Sequence, residues 1–169
     1  MKVIIATGTP GTGKTTVARK LARKLGFVYI DVSKIITKKR LSEGFDRKRK
    51  SKIIDVNRLN HALVNELKLL AKKHKSKKKI KGVIIDSHLS HHLPSWHVDL
   101  CIVTRCEIKE LHKRLKKKKF HEEKIKENLQ AEIFSICHDE AKQLKHKIVV
   151  LDTTKGFNIN KFSRLLLKT

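Results

Sequence analysis

Short apolar runs alternate along the chain with longer stretches in which apolar residues recur every three or four positions. Five of the short runs are rich in β-branched residues and predict strands at residues 3–7, 27–32, 82–86, 99–104 and 147–152. Because helical patterns separate these strands, we expect parallel pairing, right-handed crossovers and helices on both faces of the sheet. The chain has 169 residues, which is enough for one well-buried core. The pattern therefore predicts a single α/β domain over residues 1–169.

The predicted helices differ in how clearly their ends are marked. Gly26 follows the first helix as a C-terminal stop, and Asp55 precedes the second as an N-terminal cap. A short helix is predicted at residues 107–115, and a longer one is marked by apolar residues at helical spacing: Ile125, Leu129, Ile133, Ile136 and Leu144. A last helix carries Phe162 and residues 165–167. Residues 33–54 and 116–126 fit this scheme poorly, and we expect mobile pieces over a shared crevice, with disorder as the alternative.

A glycine-rich segment joins the first predicted strand to the first predicted helix. Residues 8–15 match the pattern G-x-x-x-x-G-K-[ST] of phosphate-binding loops. In such a loop the backbone N–H groups converge on one point, and the N-terminus of the helix adds partial positive charge. Lys14 can then reach the β- and γ-phosphates, and the Thr15 hydroxyl can ligate Mg²⁺. A glycine-rich turn that binds nothing would not need these two residues, so the sequence predicts binding of a nucleoside triphosphate.

A second polar motif follows the third predicted strand. Asp86 stands at the carboxyl end of that strand, where a second anchor for Mg²⁺ is expected to act through a water molecule. Alternatively, Asp86 caps the next element. His88 follows two residues later, so its imidazole could orient an attacking water or sense the γ-phosphate. A histidine metal site is a further alternative (His88, His91, His92 and His97), although neither cysteine pairs nor H-x-x-x-H spacing support it.

The charge of the chain is strongly one-sided. Lys and Arg number 41 against 16 Asp and Glu, which gives a formal net charge of +25. Heat-adapted surfaces are also rich in lysine, but they carry glutamate in similar numbers. We therefore expect an RNA-rich working environment, with contacts mostly to phosphates because the chain has one Trp and one Tyr. Basic clusters occur at residues 38–40, 47–50, 72–73, 77–79 and 116–119.

The remaining composition bears on where the protein works. Three cysteines are scattered without a C-x-x-C pair, which is typical of a reducing compartment. The apolar runs are shorter than the ~20 residues that a membrane span needs, and the first run leads directly into the phosphate loop. We therefore expect a cytoplasmic protein without a membrane partner.

Several motifs together resemble one family across essentially the whole chain. The motifs are the loop at residues 8–16, the Asp86-x-His88 pair followed by Pro94-x-Trp96, and the N-L-Q-A-E-I-F block at residues 128–134 with D-E-A at 139–141. The family is adenylate kinase isoenzyme 6, also described as the coilin-interacting nuclear ATPase. The loop is shared by many families, whereas the D-x-H pair and the block at residues 128–134 are much more specific.

The resemblance implies a fold, two activities and a set of partners. The fold is an adenylate-kinase-like P-loop NTPase, a three-layer α/β/α domain with a five-stranded parallel sheet of order 2-3-1-4-5. A nucleoside-monophosphate (NMP)-binding insertion would lie at about residues 31–54 and a short lid at about residues 117–127. The activities are phosphoryl exchange between ATP and AMP and ATP hydrolysis, both with Mg²⁺. The partners are a platform protein of the small ribosomal subunit and pre-rRNA. We expect the protein to be a monomer, and to be nuclear if it comes from a nucleated cell.

The resemblance also assigns roles to individual residues. The ATP-binding positions are Gly11, Gly13, Lys14, Thr15, Thr16 and the lid residue Lys118. Thr15 and Asp86 match the Mg²⁺ positions, the latter through water. The catalytic positions are Lys14, Asp86, His88 and Arg114. Arg105 is a further candidate for contact with the lid or the phosphates.

Three departures from ordinary adenylate kinases concern the lid and the acceptor. Lys118 replaces a lid arginine, Thr37 replaces the arginine that grips AMP, and residues 90–94 replace the D-G-F-P-R signature. These departures count against efficient, AMP-selective kinase activity and leave ATP binding untouched, and with the basic surface they favour an ATPase assembly factor. We therefore predict a nucleoside monophosphate kinase of broad specificity that is also an ATPase and acts in maturation of the small ribosomal subunit. The alternatives are a housekeeping small-molecule kinase without a ribosomal role and a non-catalytic RNA-binding module.

Overall fold

The computed structural model describes residues 1–47, 51–76 and 80–168. Five parallel strands form the main sheet, namely β1 (Lys2–Thr7), β2 (Val28–Asp31), β5 (Gly82–Asp86), β6 (Leu100–Arg105) and β7 (Ile148–Asp152). The other two strands, β3 (Ser42–Asp46) and β4 (Ser51–Ile54), form a separate antiparallel hairpin. The main sheet has the order β2-β5-β1-β6-β7. This numbering differs from the predicted 2-3-1-4-5 because the hairpin adds two strands between the second and third predicted ones.

Helices cover both faces of the main sheet, as the sequence predicts. They are α1 (Lys14–Leu25), α2 (Val32–Lys38), α3 (Val56–Ser76), α4 (Ile108–Lys117), α5 (Glu122–Ile133), α6 (Ile136–Gln143) and α7 (Ile159–Lys168). Alternate residues of β1 point into two different cores. Val3 and Ile5 pack with Leu63 of α3, whereas Ile4 packs with α1 and with Phe162 of α7. The three-layer α/β/α class is therefore confirmed.

The long helix predicted from Ile125 to Leu144 is wrong. The chain breaks between α5 and α6 at Ser135, whose φ of 55° lies in the left-handed region and ends α5. The Ser135 hydroxyl accepts a 2.8 Å hydrogen bond from Nη1 of Arg105, which holds the break against the end of β6. Ile133 and Ile136 are consequently exposed, so the helical spacing of apolar residues did not correspond to one buried face.

The two segments that fitted the pattern poorly contain regular structure. Residues 31–54, the proposed insertion, contain α2 and the β3–β4 hairpin, although Lys48, Arg49 and Lys50 lie outside the described residues. Residues 116–126 were expected to be irregular, but α4 extends to Lys117 and α5 begins at Glu122. The short connection is held because Leu115 and Ile125 are buried against each other's helices in a small core.

The predicted cap of α3 is confirmed. Oδ1 of Asp55 accepts hydrogen bonds from the N–H groups of Asn57, at 2.7 Å, and Arg58, at 3.2 Å. Within the described parts of the chain, none of the helices is long and apolar enough to cross a membrane.

Candidate active site

The phosphate loop connects the end of β1 to the start of α1. Its glycines adopt positive φ values, 137° at Gly8 and 89° at Gly13, the residue that caps α1. A Cβ atom at Gly8 would lie 2.5 Å from Oγ1 of Thr104 on β6. Only glycine therefore allows this conformation and this close approach at position 8.

Hydrogen bonds from three neighbouring elements hold the loop in place. Oγ1 of Thr12 lies 2.7 Å from Oγ1 of Thr104, and Thr153 donates a 2.6 Å hydrogen bond to the Thr12 carbonyl. On the other side, the Thr9 hydroxyl donates a 2.6 Å hydrogen bond to Oε2 of Glu132 on α5. The loop is thus fixed by β6, α5 and the segment after β7 before any ligand binds.

A cavity of about 620 Å³ lies beside the loop and brings the predicted ATP-binding residues together. Its lining includes all six of them, Gly11, Gly13, Lys14, Thr15, Thr16 and Lys118, together with Arg114 of α4 and Phe157 after β7. Desolvation lowers the pKa of Lys14, whereas the nearby Asp86 carboxylate acts in the opposite direction. We call this space the donor cavity.

Asp86 has one satisfied and one unsatisfied carboxylate oxygen. The Tyr29 hydroxyl donates a 2.7 Å hydrogen bond to Oδ2, while Oδ1 is buried and has no hydrogen-bond partner within the described residues. A buried carboxylate oxygen without a donor is costly unless a ligand supplies one. A magnesium-bound water could supply it, and the Thr15 hydroxyl on the nearby donor cavity adds an oxygen ligand of the kind Mg²⁺ prefers. The donor set therefore fits the metal that the sequence predicts.

His88 borders two further cavities. A central cavity of about 560 Å³ contains His88 with Lys14, Lys118 and Gly11, three residues that it shares with the donor cavity. The second, of about 720 Å³, joins His88 and Leu89 to α2 and the hairpin, and we call it the insertion cavity. Desolvation by the surrounding protein and the Lys14 ammonium lower the pKa of His88 to about 4, although its side chain remains open to the crevice. The imidazole is therefore neutral near pH 7 and keeps a lone pair.

The two arginines that the sequence singled out, Arg114 and Arg105, bind to different parts of the protein. Arg114 lines the donor cavity, but Nη2 donates to the carbonyls of Thr153, at 2.8 Å, and Thr154, at 3.1 Å, while Nε pairs with Glu110. Arg105 points to the break between α5 and α6, where Nε donates a 2.8 Å hydrogen bond to Oε1 of Glu132. Arg105 is not among the described residues that line the donor cavity, and its hydrogen bonds go to Glu132 and Ser135.

Two side chains that hold the site together, Glu132 and Tyr29, were not predicted from the sequence. Glu132 is 2% exposed and bridges Thr9 of the loop to Arg105 and to the N–H of Cys106. Tyr29 holds Asp86 from the neighbouring strand. Glu132 lies within the N-L-Q-A-E-I-F block, so the sequence marked the segment as characteristic of the family. It did not indicate which residues Glu132 would contact. Tyr29 is the single tyrosine of the chain, and nothing in its local pattern connects it with a residue far along the chain.

The alternative of a four-histidine metal site is not formed. Among the described residues, the donor atoms within 4.8 Å of one another belong to His91, His92 and Glu140, without His88 or His97. Both nitrogens of His91 already have partners, Oγ1 of Thr7 at 2.7 Å and Oε2 of Glu140 at 2.8 Å. Burial lowers the pKa of His91 to about 4. This histidine connects the end of β1 to α6.

Comparisons with known proteins add sequence relatives and structural neighbours. A family model described as an AAA domain matches residues 4–135. The "Adenylate kinase isoenzyme 6 homolog" of Caenorhabditis elegans is 34% identical over 140 residues, which cover 83% of this chain and 72% of that protein. The "Putative adenylate kinase" of Pyrococcus furiosus is 38% identical over 152 residues, which cover 90% of this chain and 75% of that protein. The shikimate kinase of Bacteroides thetaiotaomicron aligns over 99% of this chain and 96% of that chain, with a TM-score of 0.57 and 16% identity, which indicates a similar fold.

Proposed function

The chain belongs to the family of adenylate kinase isoenzyme 6 and its archaeal homologues, a family of phosphotransferases, and we propose that it transfers the γ-phosphoryl group of Mg²⁺-ATP to AMP or a related nucleoside monophosphate. One observation carries the proposal. The donor and insertion cavities each share residues with the central cavity, so a phosphoryl group could pass between them without leaving the crevice.

On the donor side, the loop N–H groups and the Lys14 ammonium would bind the β- and γ-phosphates of ATP. Mg²⁺, when bound, would neutralise charge that develops on the phosphoryl oxygens. Thr15 would ligate the ion, and Oδ1 of Asp86 would accept a hydrogen bond from one of the ion's water ligands. Arg114 and Phe157 also line the donor cavity, and we propose that the nucleoside lies against them.

On the acceptor side, the insertion cavity is cationic and has hydroxyl groups. Its lysines are Lys34, Lys38 and Lys52, and its hydroxyls are those of Ser33 and Thr37. The Lys52 ammonium donates a 3.2 Å hydrogen bond to Oγ1 of Thr37, so a cation lies beside the position where adenylate kinases have an arginine. Lysines suit the dianion of a monophosphate, and hydroxyls can either donate or accept hydrogen bonds to a base. These features support broad specificity for the acceptor.

When no acceptor is bound, water in the central cavity would accept the phosphoryl group and the protein would act as an ATPase. His88 lies at the junction of the central and insertion cavities and is neutral near pH 7, so its lone pair can orient that water.

We expect replacement of His88 with alanine to lower ATP hydrolysis by about 10²-fold and phosphoryl exchange with AMP by much less, because only hydrolysis needs an oriented water. Both rates are measured on the same preparation, with and without AMP. His97→Ala is the control, since His97 lies away from these cavities. Equal losses in the two rates would remove the role assigned to His88.

The proposed enzymatic function itself has a direct test. ADP formation is measured with Mg²⁺-ATP alone and with AMP, CMP, GMP or UMP as acceptor. A rate that increases with one or more monophosphates is expected, whereas a chain that binds ATP but produces no ADP would support the non-catalytic alternative.

We also propose that the protein works on RNA, specifically during maturation of the small ribosomal subunit, together with a platform ribosomal protein. The net charge of +25 and the resemblance described above support this proposal. Two exposed basic clusters, residues 38–40 and 116–119, contribute lysines to the insertion cavity and the donor cavity. RNA there would thus lie close to the nucleotide. The clusters at 48–50 and 77–79 lie outside the described residues.

We expect binding to a small-subunit rRNA fragment to weaken steeply with salt, because binding to phosphates releases counterions. The logarithm of the association constant, plotted against the logarithm of KCl concentration, should fall linearly with a slope of several units. A duplex of unrelated sequence and equal length tests whether the binding is specific. A flat salt response would contradict the RNA proposal and leave the phosphotransferase proposal intact.

A further inference from the structure

We propose that Tyr29 is a positioning residue that sets the metal preference of the site by allowing Asp86 to use only one carboxylate oxygen. The inference rests on the proposed function, since it concerns the ion that accompanies ATP. It is supported by the contacts that Tyr29 makes with Asp86 and with Arg19.

The sheet places Tyr29 beside Asp86. In the parallel pairing of β2 with β5, Tyr29 is opposite Ile84 and Asp31 is opposite Asp86. Because side chains alternate along a strand, Tyr29 shares a face with Asp86, and its hydroxyl lies 2.7 Å from Oδ2. Oδ2 is thus occupied by a donor, and Oδ1 is the buried oxygen that still needs one.

The phenol is suited to remain a donor. A tyrosine side chain has an O–H donor and carries no charge in this form, and the 2.7 Å hydrogen bond to Oδ2 uses that donor. A protonated phenol can satisfy Oδ2 without adding charge beside the metal. Tyr29 therefore fixes which oxygen of Asp86 faces the ligand.

Arg19 connects Tyr29 to the helix that carries Thr15. Its Nε lies 3.3 Å from the Tyr29 hydroxyl, and its guanidinium carbon lies 5.4 Å from the centre of the Tyr29 ring. Arg19 follows Thr15 by four residues on α1, so the two occupy the same face of the helix. Arg19 therefore holds the Tyr29 hydroxyl from the helix that also carries Thr15.

The arrangement has a consequence for metal preference. Mg²⁺ requires near-octahedral geometry and usually binds through single carboxylate oxygens and waters, whereas Ca²⁺ accepts bidentate carboxylates and irregular geometry. As long as Tyr29 occupies Oδ2, Asp86 offers one oxygen. Removal of the phenolic hydroxyl would free Oδ2 and permit bidentate binding.

Tyr29→Phe tests the inference, because it removes the hydroxyl and keeps the ring. We expect the Mg²⁺ concentration that gives half-maximal ATP turnover to increase about 10-fold, as is typical for loss of a hydrogen bond to a charged group. The ratio of Ca²⁺ to Mg²⁺ affinity, measured by calorimetry in the presence of ATP, should increase. ATP binding in EDTA should stay close to that of the wild type, whereas the melting temperature should fall modestly, because Oδ2 of Asp86 loses its donor. Ser163→Ala, which removes a buried hydroxyl of α7 bonded to Asn160, is the matched control.

The outcomes separate this inference from the proposed function. A wild-type protein without Mg²⁺-dependent ATP turnover would overturn both. A normal wild-type response with an identical response from Tyr29→Phe would overturn the inference alone. An equal loss of ATP binding in EDTA would also overturn it, since the tyrosine would then be structural. In an Asp86→Asn background, Tyr29→Phe should have no further effect on Mg²⁺-dependent ATP binding, and an undiminished effect there would contradict the route through Asp86.

Discussion

Replacement of Lys14 with alanine is expected to lower both phosphoryl exchange and ATP hydrolysis by about 10³-fold, because both reactions need the same positive charge on the β- and γ-phosphates. Lys14 lines both the donor cavity and the central cavity, so its ammonium is available to both reactions. Desolvation makes its charge costly in the free protein, as the lowered pKa of Lys14 indicates. A bound polyphosphate would offset that cost, so the ammonium is placed to interact most strongly when ligand is present.

The measurement is ADP formation with and without AMP, together with calorimetric binding of Mg²⁺-ATP. Lys14→Met preserves most of the side-chain length, so a loss as large as that of the alanine variant would assign the effect to charge. Lys24→Ala is the control, because Lys24 is exposed in the last turn of the same helix. If Lys14→Ala retained activity within a factor of about ten of the wild type, the loop would not act in the way that phosphate-binding loops do.

Replacement of Glu132 with alanine is expected to destabilise the fold by about 3 kcal/mol, the lower end of the range for breaking a buried ion pair. The lower end applies because Arg105 keeps 33% of its side chain exposed, whereas Glu132 keeps 2%. The change would remove the acceptor of three donors, the Thr9 hydroxyl, Nε of Arg105 and the N–H of Cys106. Because Thr9 belongs to the phosphate loop, ATP affinity should fall together with stability.

Urea unfolding at pH 7 measures this loss. The matched control is Glu66→Ala, which breaks the 3.1 Å ion pair with Lys39 on the surface, where both side chains are about one-third exposed. Exposed pairs contribute about 0–1 kcal/mol, so the control should be several-fold less damaging. Glu132→Gln should lie between the two, since an amide can accept hydrogen bonds but cannot neutralise Arg105. Similar losses for Glu132→Ala and Glu66→Ala would contradict the central position assigned to Glu132.

The positions of the strands and of the phosphate loop could be predicted because both depend on short segments of sequence, whereas the order of the strands was implied by the resemblance to the family. A β-branched run, a glycine-rich turn and an amphipathic helix in succession allow few other structures. The position of Asp86 could be predicted for the same reason, since it is the last residue of a fully buried strand. The helix break at Ser135 could not, because the apolar spacing on either side of it continues in helical phase.

The sequence by itself determined the α/β class, the parallel pairing of the strands and the position of the glycine-rich loop, since each follows from strand, turn and helix patterns that are local in the chain. Only the tertiary structure decided which oxygen of Asp86 is free, where Arg105 points and what holds Thr9. Those contacts join residues 57, 27 and 123 positions apart. Local propensity contains no information about such pairs, because they form only when packing of the sheet and helices brings distant segments together and buries their polar groups.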